Sequence, residues 1–144
     1  MTTAEELIQN ADAVLLDFDG PVTALMPPPL NAQAADRARS ALGEMALPEE
    51  IEQTTDHLAV IRWAVGHAAD RLADVERACT EAEVECAAIS EPSPEIRGFL
   101  AVAHEREIPV AIVSNNSKQA VRNFVDRFNW ASGIELIVGR TVET

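Results

Sequence analysis

Basic residues are scarce in this sequence, and this narrows the classes of partner. The 144 residues include 11 Lys and Arg against 24 Asp and Glu, which gives a formal net charge of −13. Nucleic acids and anionic membrane surfaces attract proteins through basic patches. We therefore expect no nucleic acid and no membrane surface among the partners.

Long apolar runs are missing as well. No run approaches the ~20 residues that a membrane-spanning helix needs. The first residues, MTTAEELIQNADAV, have neither the basic region nor the apolar core of a secretory signal. These absences predict a cytoplasmic protein.

Cysteine is nearly absent, with 2 residues in the chain. Cys79 and Cys86 fall in a segment with a helical pattern, which would place them roughly 10 Å apart along the helix. The Cα atoms of a disulfide usually lie within about 7 Å of each other. Because no second Cys or His pair has a metal-binding spacing, we expect both thiols to be core residues rather than metal ligands.

Apolar segments that alternate with helical patterns predict the fold class. Residues 13–18, 108–114 and 134–139 have the pattern of strands buried on both faces of a sheet, and 94–106 and 117–129 that of amphipathic helices. Strand, helix, strand, helix, strand is typical of a parallel sheet with crossover helices. We predict an α/β protein with a Rossmann-like parallel core of about three strands.

An all-helical insert is expected between the first strand and the rest. Breaks near Leu47-Pro48 and from Gly66 to Asp70 would divide it into about three packed helices. Its apolar positions recur every seven residues, as expected for a packing seam. The seam consists of Ile51, Leu58, Val65 and Leu72, with Ile61, Ala68, Val75, Ala82 and Ile89 interleaved.

Proline-rich segments mark where the insert joins the core. Three prolines at 27–29 and the SEPSPE segment at 90–95 cannot continue a regular helix or strand. The sequence therefore predicts a core formed by residues 1–22 and 92–144 and a helical cap formed by residues 23–91.

Two aspartates follow the first apolar run directly, in LLDFDGPV. Aspartate is depleted in strands, so two aspartates at the end of a strand indicate a functional role for them. Because side chains alternate along an extended segment, Asp17 and Asp19 are expected on one side, with Phe18 in the core. The second predicted strand ends at Ser114, and Asn115 follows it. Ligands of parallel α/β sheets bind outside the carboxyl ends of the strands, so these groups would share one crevice if the strands are neighbours.

These groups suit phosphoryl transfer on a small phosphorylated metabolite. One carboxylate can attack phosphorus and form an acyl phosphate, while a second protonates the leaving oxygen and later activates water. A hard divalent cation, for which Mg²⁺ is the best match, would offset the repulsion between the carboxylates and the phosphate. Ser114 and free N–H groups at the helix start near Ser117 would hold the phosphate oxygens.

The chain resembles the haloacid dehalogenase superfamily of phosphatases. LLDFDGPV is similar to the family's first motif, VAIVSNNS to its second, and the insert occupies the place of the family's helical cap. The resemblance implies that Asp17 is the nucleophile and Asp19 the general acid/base. It implies a Mg²⁺ site at Asp17 and the backbone carbonyl of Asp19. It further implies a phosphate site at Ser114, Asn115 and Gly20. Dehalogenating members lack the second acid, so phosphate ester chemistry is implied.

The resemblance is incomplete beyond the second motif. Family members carry a lysine that stabilises the acyl phosphate and an acidic pair that completes the metal site, both after a segment like ELIVGR. Neither follows Arg140 in this sequence, and the one lysine, Lys118, is expected to be an exposed helix residue. The histidines, His57 among them, share no spacing and are expected to be surface or packing residues.

Two functional classes therefore stay open. One is a Mg²⁺-dependent phosphatase, for which we expect very weak or absent turnover of generic phosphomonoesters by the chain as given. The other is a catalytically incomplete relative that binds phosphate, a metal or a protein partner. A sheet that ends at its third strand exposes an edge and part of a core, which predicts either a homo-oligomer or a missing C-terminal half.

Overall fold

The computed structural model describes residues 12–141. Its strands are β1 (Val14–Asp17), β2 (Val110–Val113) and β3 (Leu136–Val138). Its α-helices are α1 (Leu30–Ala41), α2 (Glu49–Gln53), α3 (His57–His67), α4 (Leu72–Ala87), α5 (Ile96–Glu105) and α6 (Lys118–Arg127). Single 3₁₀ turns lie at Ala69–Arg71 and Ala131–Gly133. None of the helices in the described range has the length and apolar character needed to cross a membrane.

The three strands form one parallel sheet in the order β1-β2-β3. Asp17 at the end of β1 pairs with Val113, which pairs in turn with Val138. The sheet with its crossover helices and the helical insert after β1 confirm the predicted α/β, Rossmann-like architecture.

Helices α5 and α6 pack on one face of the sheet. Leu16 and Ile112 point to this face and pack in the same hydrophobic cluster as Val121 and Phe124 of α6. The ring of Phe18 meets that of Phe124 edge to face, with centroids 5.3 Å apart. The crossovers from β1 to β2 and from β2 to β3 each move to the next strand in the same direction across the sheet. Because such connections are right-handed, both crossover helices lie on the same face.

The opposite face of the sheet is uncovered within residues 12–141. Leu15 is 73% exposed, Leu136 55%, Val113 43% and Val138 42%. The expectation of strands buried on both faces is therefore wrong for this face, because no described helix crosses it. The four residues form an apolar surface, which we call the open face.

The insert has its own hydrophobic cluster, formed by α1 to α4. The helices of the insert are interrupted at both places that the sequence predicts. A third interruption precedes α3, where the Asp56 side chain caps the helix by accepting a hydrogen bond from the Leu58 N–H. Cys79 and Cys86 are buried in α4 without a disulfide, as expected. The predicted seam is wrong at Val65 and Ile89, which are exposed.

The two segments that connect insert and core lie side by side. Thr23 forms a bridge with Pro92, its hydroxyl donates to the Glu91 carbonyl, and Ser93 N–H donates to the Val22 carbonyl. The predicted boundaries at 22/23 and 91/92 fall in these connectors. The division into two domains stays a prediction, since the end of α4 packs into the main cluster through Cys86 and Ala87.

Candidate active site

Asp17 and Asp19 lie at the carboxyl end of β1, and both are exposed. Phe18 between them is fully buried, as the predicted alternation requires. Asp17 Oδ1 accepts a hydrogen bond from the Phe18 N–H at 2.7 Å, and Asp19 Oδ1 accepts one from the Leu25 N–H at 3.1 Å. One oxygen of each carboxylate is thus fixed by the backbone. No donor among the described residues reaches Oδ2 of either carboxylate.

A tight turn follows β1. The N–H groups of Val22 and Thr23 both donate to the Phe18 carbonyl. Gly20 has a φ of 110°, a conformation that side chains disfavour. Its carbonyl accepts a hydrogen bond from the Ser93 hydroxyl at 2.8 Å. The connector that returns from the insert therefore holds the turn that carries Asp19.

Ser114 follows β2 directly and is buried. Its Oγ accepts a hydrogen bond from the Asn116 backbone N–H at 3.0 Å and makes a longer 3.4 Å contact with Asn116 Nδ2. A hydroxyl has one proton and two lone pairs. Because both contacts use lone pairs of the hydroxyl, its proton stays available for a further acceptor. Asn115 beside it is exposed.

The start of α6 is occupied by a carboxylate from the insert. The Ser117 hydroxyl accepts from the Ala120 N–H and caps the helix, while the Ser117 N–H donates to Glu83 Oε1 at 2.9 Å. The Ser117 N–H is therefore not one of the free N–H groups predicted near the start of this helix. A helix N-terminus favours an anion, and α4 packs against α6 closely enough to supply one.

A buried ionic cluster joins the insert to this loop. The Arg140 side chain donates to both oxygens of Glu76, at 2.8 and 2.9 Å, and to both oxygens of Glu83, at 2.6 and 3.0 Å. It also donates to the Asn115 carbonyl at 2.9 Å. Glu83, fully buried, contacts His57 Nε2 at 2.8 Å.

Both charges in the centre of this cluster are stabilised. Burial raises the pKa of Glu83, but hydrogen bonds from His57, Arg140 and the Ser117 N–H outweigh it and bring the pKa below its ordinary value. Burial lowers the pKa of Arg140, but the hydrogen bonds that it donates to the two glutamates outweigh this effect and raise the pKa. Burial and the charge of Glu83 raise the pKa of the neighbouring Cys79 to about 12, so this thiol stays protonated.

Sequence reasoning missed this cluster, although a signal was present. Glu76 and Glu83 are spaced seven residues apart and each follows a seam residue, Val75 and Ala82. Burying two acidic side chains beside a packing seam costs free energy unless a cation pairs with them. Arg140 follows the third predicted strand, at the edge of the sheet where the candidate site lies.

A cleft opens between α3 and the carboxyl ends of β2 and β3. It has a volume of about 380 Å³. Asn115 is the predicted site residue that lines it, and Asp17 and Asp19 do not border it. The lining residues are Leu58, Ile61, Arg62, Val65, Asn115, Arg140 and Thr141.

The residues at the end of β1 are compatible with a magnesium ion. No group of three or more His, Cys, Asp and Glu side chains converges within residues 12–141. Mg²⁺ commonly keeps several waters and uses one or two carboxylates together with substrate phosphate oxygens. The exposed Asp17 carboxylate and the backbone carbonyl of Asp19 supply oxygen donors of the required kind.

Comparison with known proteins gives matches among solved structures. No family model and no curated protein matches this sequence. CbbY from Rhodobacter sphaeroides in complex with phosphate is 24% identical, with a TM-score of 0.65. An Asp-to-Asn variant of CbbY in complex with xylulose-(1,5)bisphosphate is 22% identical, also with a TM-score of 0.65. A predicted phosphoglycolate phosphatase from Haemophilus somnus is 17% identical, with a TM-score of 0.60. This chain has a haloacid dehalogenase-like fold.

The alignments with these structures of haloacid dehalogenase-like fold include most of this chain but only part of each matched chain. The matches cover 92% of this chain, but only 65% of the two CbbY chains and 64% of the Haemophilus somnus protein. The chain thus spans less than two thirds of their length. At these identities the likeness establishes the fold, and the activity is a proposal.

In this haloacid dehalogenase-like fold, Asp17 and Ser114 lie at the carboxyl ends of two neighbouring strands. Asp17, the last residue of β1, pairs with Val113, and Ser114 comes directly after Val113. Asp19 and Gly20 lie in the turn after β1, and Asn115 in the loop after β2. The placement fits the predicted site, and the role of each residue stays a prediction.

Proposed function

We propose that this protein is a phosphatase-type hydrolase that acts on a small phosphomonoester through an aspartyl phosphate on Asp17. One observation carries the proposal. Asp17 ends β1 in register with the residue that precedes Ser114, so a nucleophilic carboxylate and a hydroxyl donor follow adjacent parallel strands. Ligands of such sheets bind at this edge.

Each of the three residues has a chemical role in this proposal. The exposed Oδ2 of Asp17 attacks phosphorus, and the Ser114 hydroxyl donates a hydrogen bond to a phosphate oxygen. Asp19 Oδ2 protonates the leaving oxygen and then deprotonates the water that hydrolyses the acyl phosphate. Mg²⁺, held by Asp17 and the Asp19 carbonyl, would offset the negative charge of the phosphate when bound.

The substrate class is a small phosphorylated metabolite. The cleft beside Asn115, of about 380 Å³, has room for a small molecule. The matched CbbY structures contain phosphate and xylulose-(1,5)bisphosphate, which supports a ligand of this size and charge. We include small sugar phosphates in the class for this reason.

The test is phosphate release from a panel of small phosphomonoesters with and without Mg²⁺. We expect very weak turnover that depends on Mg²⁺ and is lost in Asp17→Asn, because an amide cannot form the acyl phosphate. Asp126→Asn, which changes an exposed carboxylate of α6, is the matched control and should leave the rate unchanged. Turnover that survives in Asp17→Asn would contradict the proposed nucleophile.

A second candidate function is a catalytically incomplete binding or self-associating protein. The open face favours it, because large apolar side chains exposed together are characteristic of an interaction surface. If neither Mg²⁺ nor inorganic phosphate raises the melting temperature and no turnover is detected, this function replaces the first. A cytoplasmic location and the absence of nucleic acid and membrane partners stay predictions under both.

A further inference from the structure

We propose that Arg140 is a positioning residue which, together with Glu83, fixes the 114–117 loop so that the Ser114 hydroxyl is directed at the ligand. The inference rests on the proposed function, because it concerns how that site holds phosphate. It assigns a role to the ionic cluster between the insert and the core.

Arg140 contacts the loop through two carbonyl groups. Its Nη1 donates to the Asn115 carbonyl at 2.9 Å, and its backbone N–H donates to the Asn116 carbonyl at 2.8 Å. A peptide group is planar, so fixing its carbonyl also fixes the direction of the N–H on its other side. Arg140 therefore sets the direction of the Asn116 and Ser117 N–H groups.

These two N–H groups have separate tasks. The Asn116 N–H donates to Ser114 Oγ at 3.0 Å, which engages a lone pair of the hydroxyl and leaves its proton for a ligand. The Ser117 N–H donates to Glu83 Oε1 at 2.9 Å. The same loop is thus held from one side by Arg140 and from the other by Glu83.

The guanidinium does not itself serve as a phosphate ligand in this arrangement. Its Nε donates to Glu76, its Nη1 to Glu83 and the Asn115 carbonyl, and its Nη2 to both glutamates and the Thr80 hydroxyl. Every nitrogen therefore has acceptors within the protein. Arg140 borders the cleft, but its donors are committed to the loop and to α4.

Gly139 explains how Arg140 approaches the loop so closely. A Cβ placed at Gly139 would lie 2.3 Å from the Lys118 backbone nitrogen, much closer than atoms can approach. Only glycine lets the chain after β3 pass the start of α6 at this distance. The close passage brings the Arg140 N–H within bonding distance of the Asn116 carbonyl.

The decisive variant is the double substitution Arg140→Gln with Glu83→Gln. It removes the two charges at the centre of the cluster together and leaves Glu76, whose side chain is 28% exposed, to solvent, so no fully buried charge is left unpaired. We expect a melting temperature near that of the unchanged protein. We expect the affinity for inorganic phosphate, measured by calorimetry with Mg²⁺, to fall about tenfold, as loss of one charge-assisted hydrogen bond would cause.

Amide hydrogen exchange provides a readout that needs no ligand. In the double variant the Asn116 amide should exchange about tenfold faster, because the carbonyl on its peptide loses a charged donor. Arg77→Gln is the matched control: Arg77 lies on α4 like Glu83, but its side chain is exposed, pairs with Asp74 and does not line the cleft. It should leave both the phosphate affinity and the exchange of the Asn116 amide unchanged.

Three results would overturn the inference. One is a double variant that folds, binds phosphate as well as the unchanged protein and keeps its Asn116 exchange rate, since the cluster would then be only a structural tie. Another is an Arg140→Lys variant that binds phosphate as tightly as the protein without substitutions. Lysine keeps the positive charge but cannot donate to all of the acceptors that Arg140 contacts. The third applies if the protein without substitutions binds no phosphate. In that case, an Asn116 amide that exchanges at the same rate in the double variant as in that protein overturns the inference. Absence of phosphate binding by the unchanged protein counts by itself against the proposed function.

Discussion

The two faces of the sheet have opposite surroundings although the same three strands form both. On the covered face, Leu16 and Ile112 pack against α5 and α6. On the open face, Leu15 and Leu136 are exposed to solvent. The difference shows that apolar composition alone does not place a strand residue in a core. What decides is whether a crossover helix passes over that face.

The largest effect is expected at the centre of the covered face. Phe124→Ala removes a ring that contacts those of Phe18, Phe128 and Trp130. The free energy of unfolding should fall by about 3–5 kcal/mol, the usual cost of deleting a buried phenylalanine side chain. Urea denaturation followed by circular dichroism measures it. Leu136→Ala on the open face is the control, and a comparable loss there would contradict the asymmetry.

A smaller effect is expected from two adjacent leucines of β1. Leu16→Ala deletes a partly buried side chain and should reduce the free energy of unfolding by about 2 kcal/mol. Leu15→Ala makes the same chemical change on the open face, and its effect should stay within about 0.5 kcal/mol. Because the two variants differ only in the face, equal losses in urea denaturation, at a protein concentration too low for self-association, would show that the open face is covered within a single chain.

The smallest effect on stability, and the most informative one about assembly, concerns the open face itself. Under the second candidate function, we expect the protein to self-associate through this face and through the edge of β1 that has no partner strand within residues 12–141. Leu15→Ser with Leu136→Ser should lower the sedimentation coefficient at high protein concentration while leaving the melting temperature nearly unchanged. Val65→Ser with Ile89→Ser, two exposed apolar residues of the insert side, is the control. A chain that is monomeric before any substitution removes the homo-oligomer proposal.

The sequence predicts the strands and crossover helices well because their signals are local. Alternation places Phe18 in the core between two exposed aspartates, and the apolar runs place β1, β2 and β3 to within two residues at each end. The uncovered face could not be predicted this way. It depends on the side of the sheet on which α5 and α6 pass, which is a property of the whole topology.

The ionic cluster escaped prediction for a related reason. Arg140 meets Glu76 and Glu83 across 64 and 57 residues of sequence, and no local pattern pairs them. His57 was expected to be a surface or packing residue; it is buried and bonded to Glu83. Asp17, Asp19 and Ser114 could be proposed from the sequence because each lies within two residues of the end of a recognisable strand, and their roles stay predictions.

The bridge between Thr23 and Pro92 makes the insert an excursion that returns to its starting point. Because the two ends of the insert lie side by side, the backbone leaves the core and re-enters it at nearly the same place. The distance from β1 to β2 is therefore set by their pairing, and the length and sequence of the helices between them leave it unchanged. The helical layer could be lengthened, shortened or exchanged during evolution, and Asp17 would still stand beside the residue that precedes Ser114.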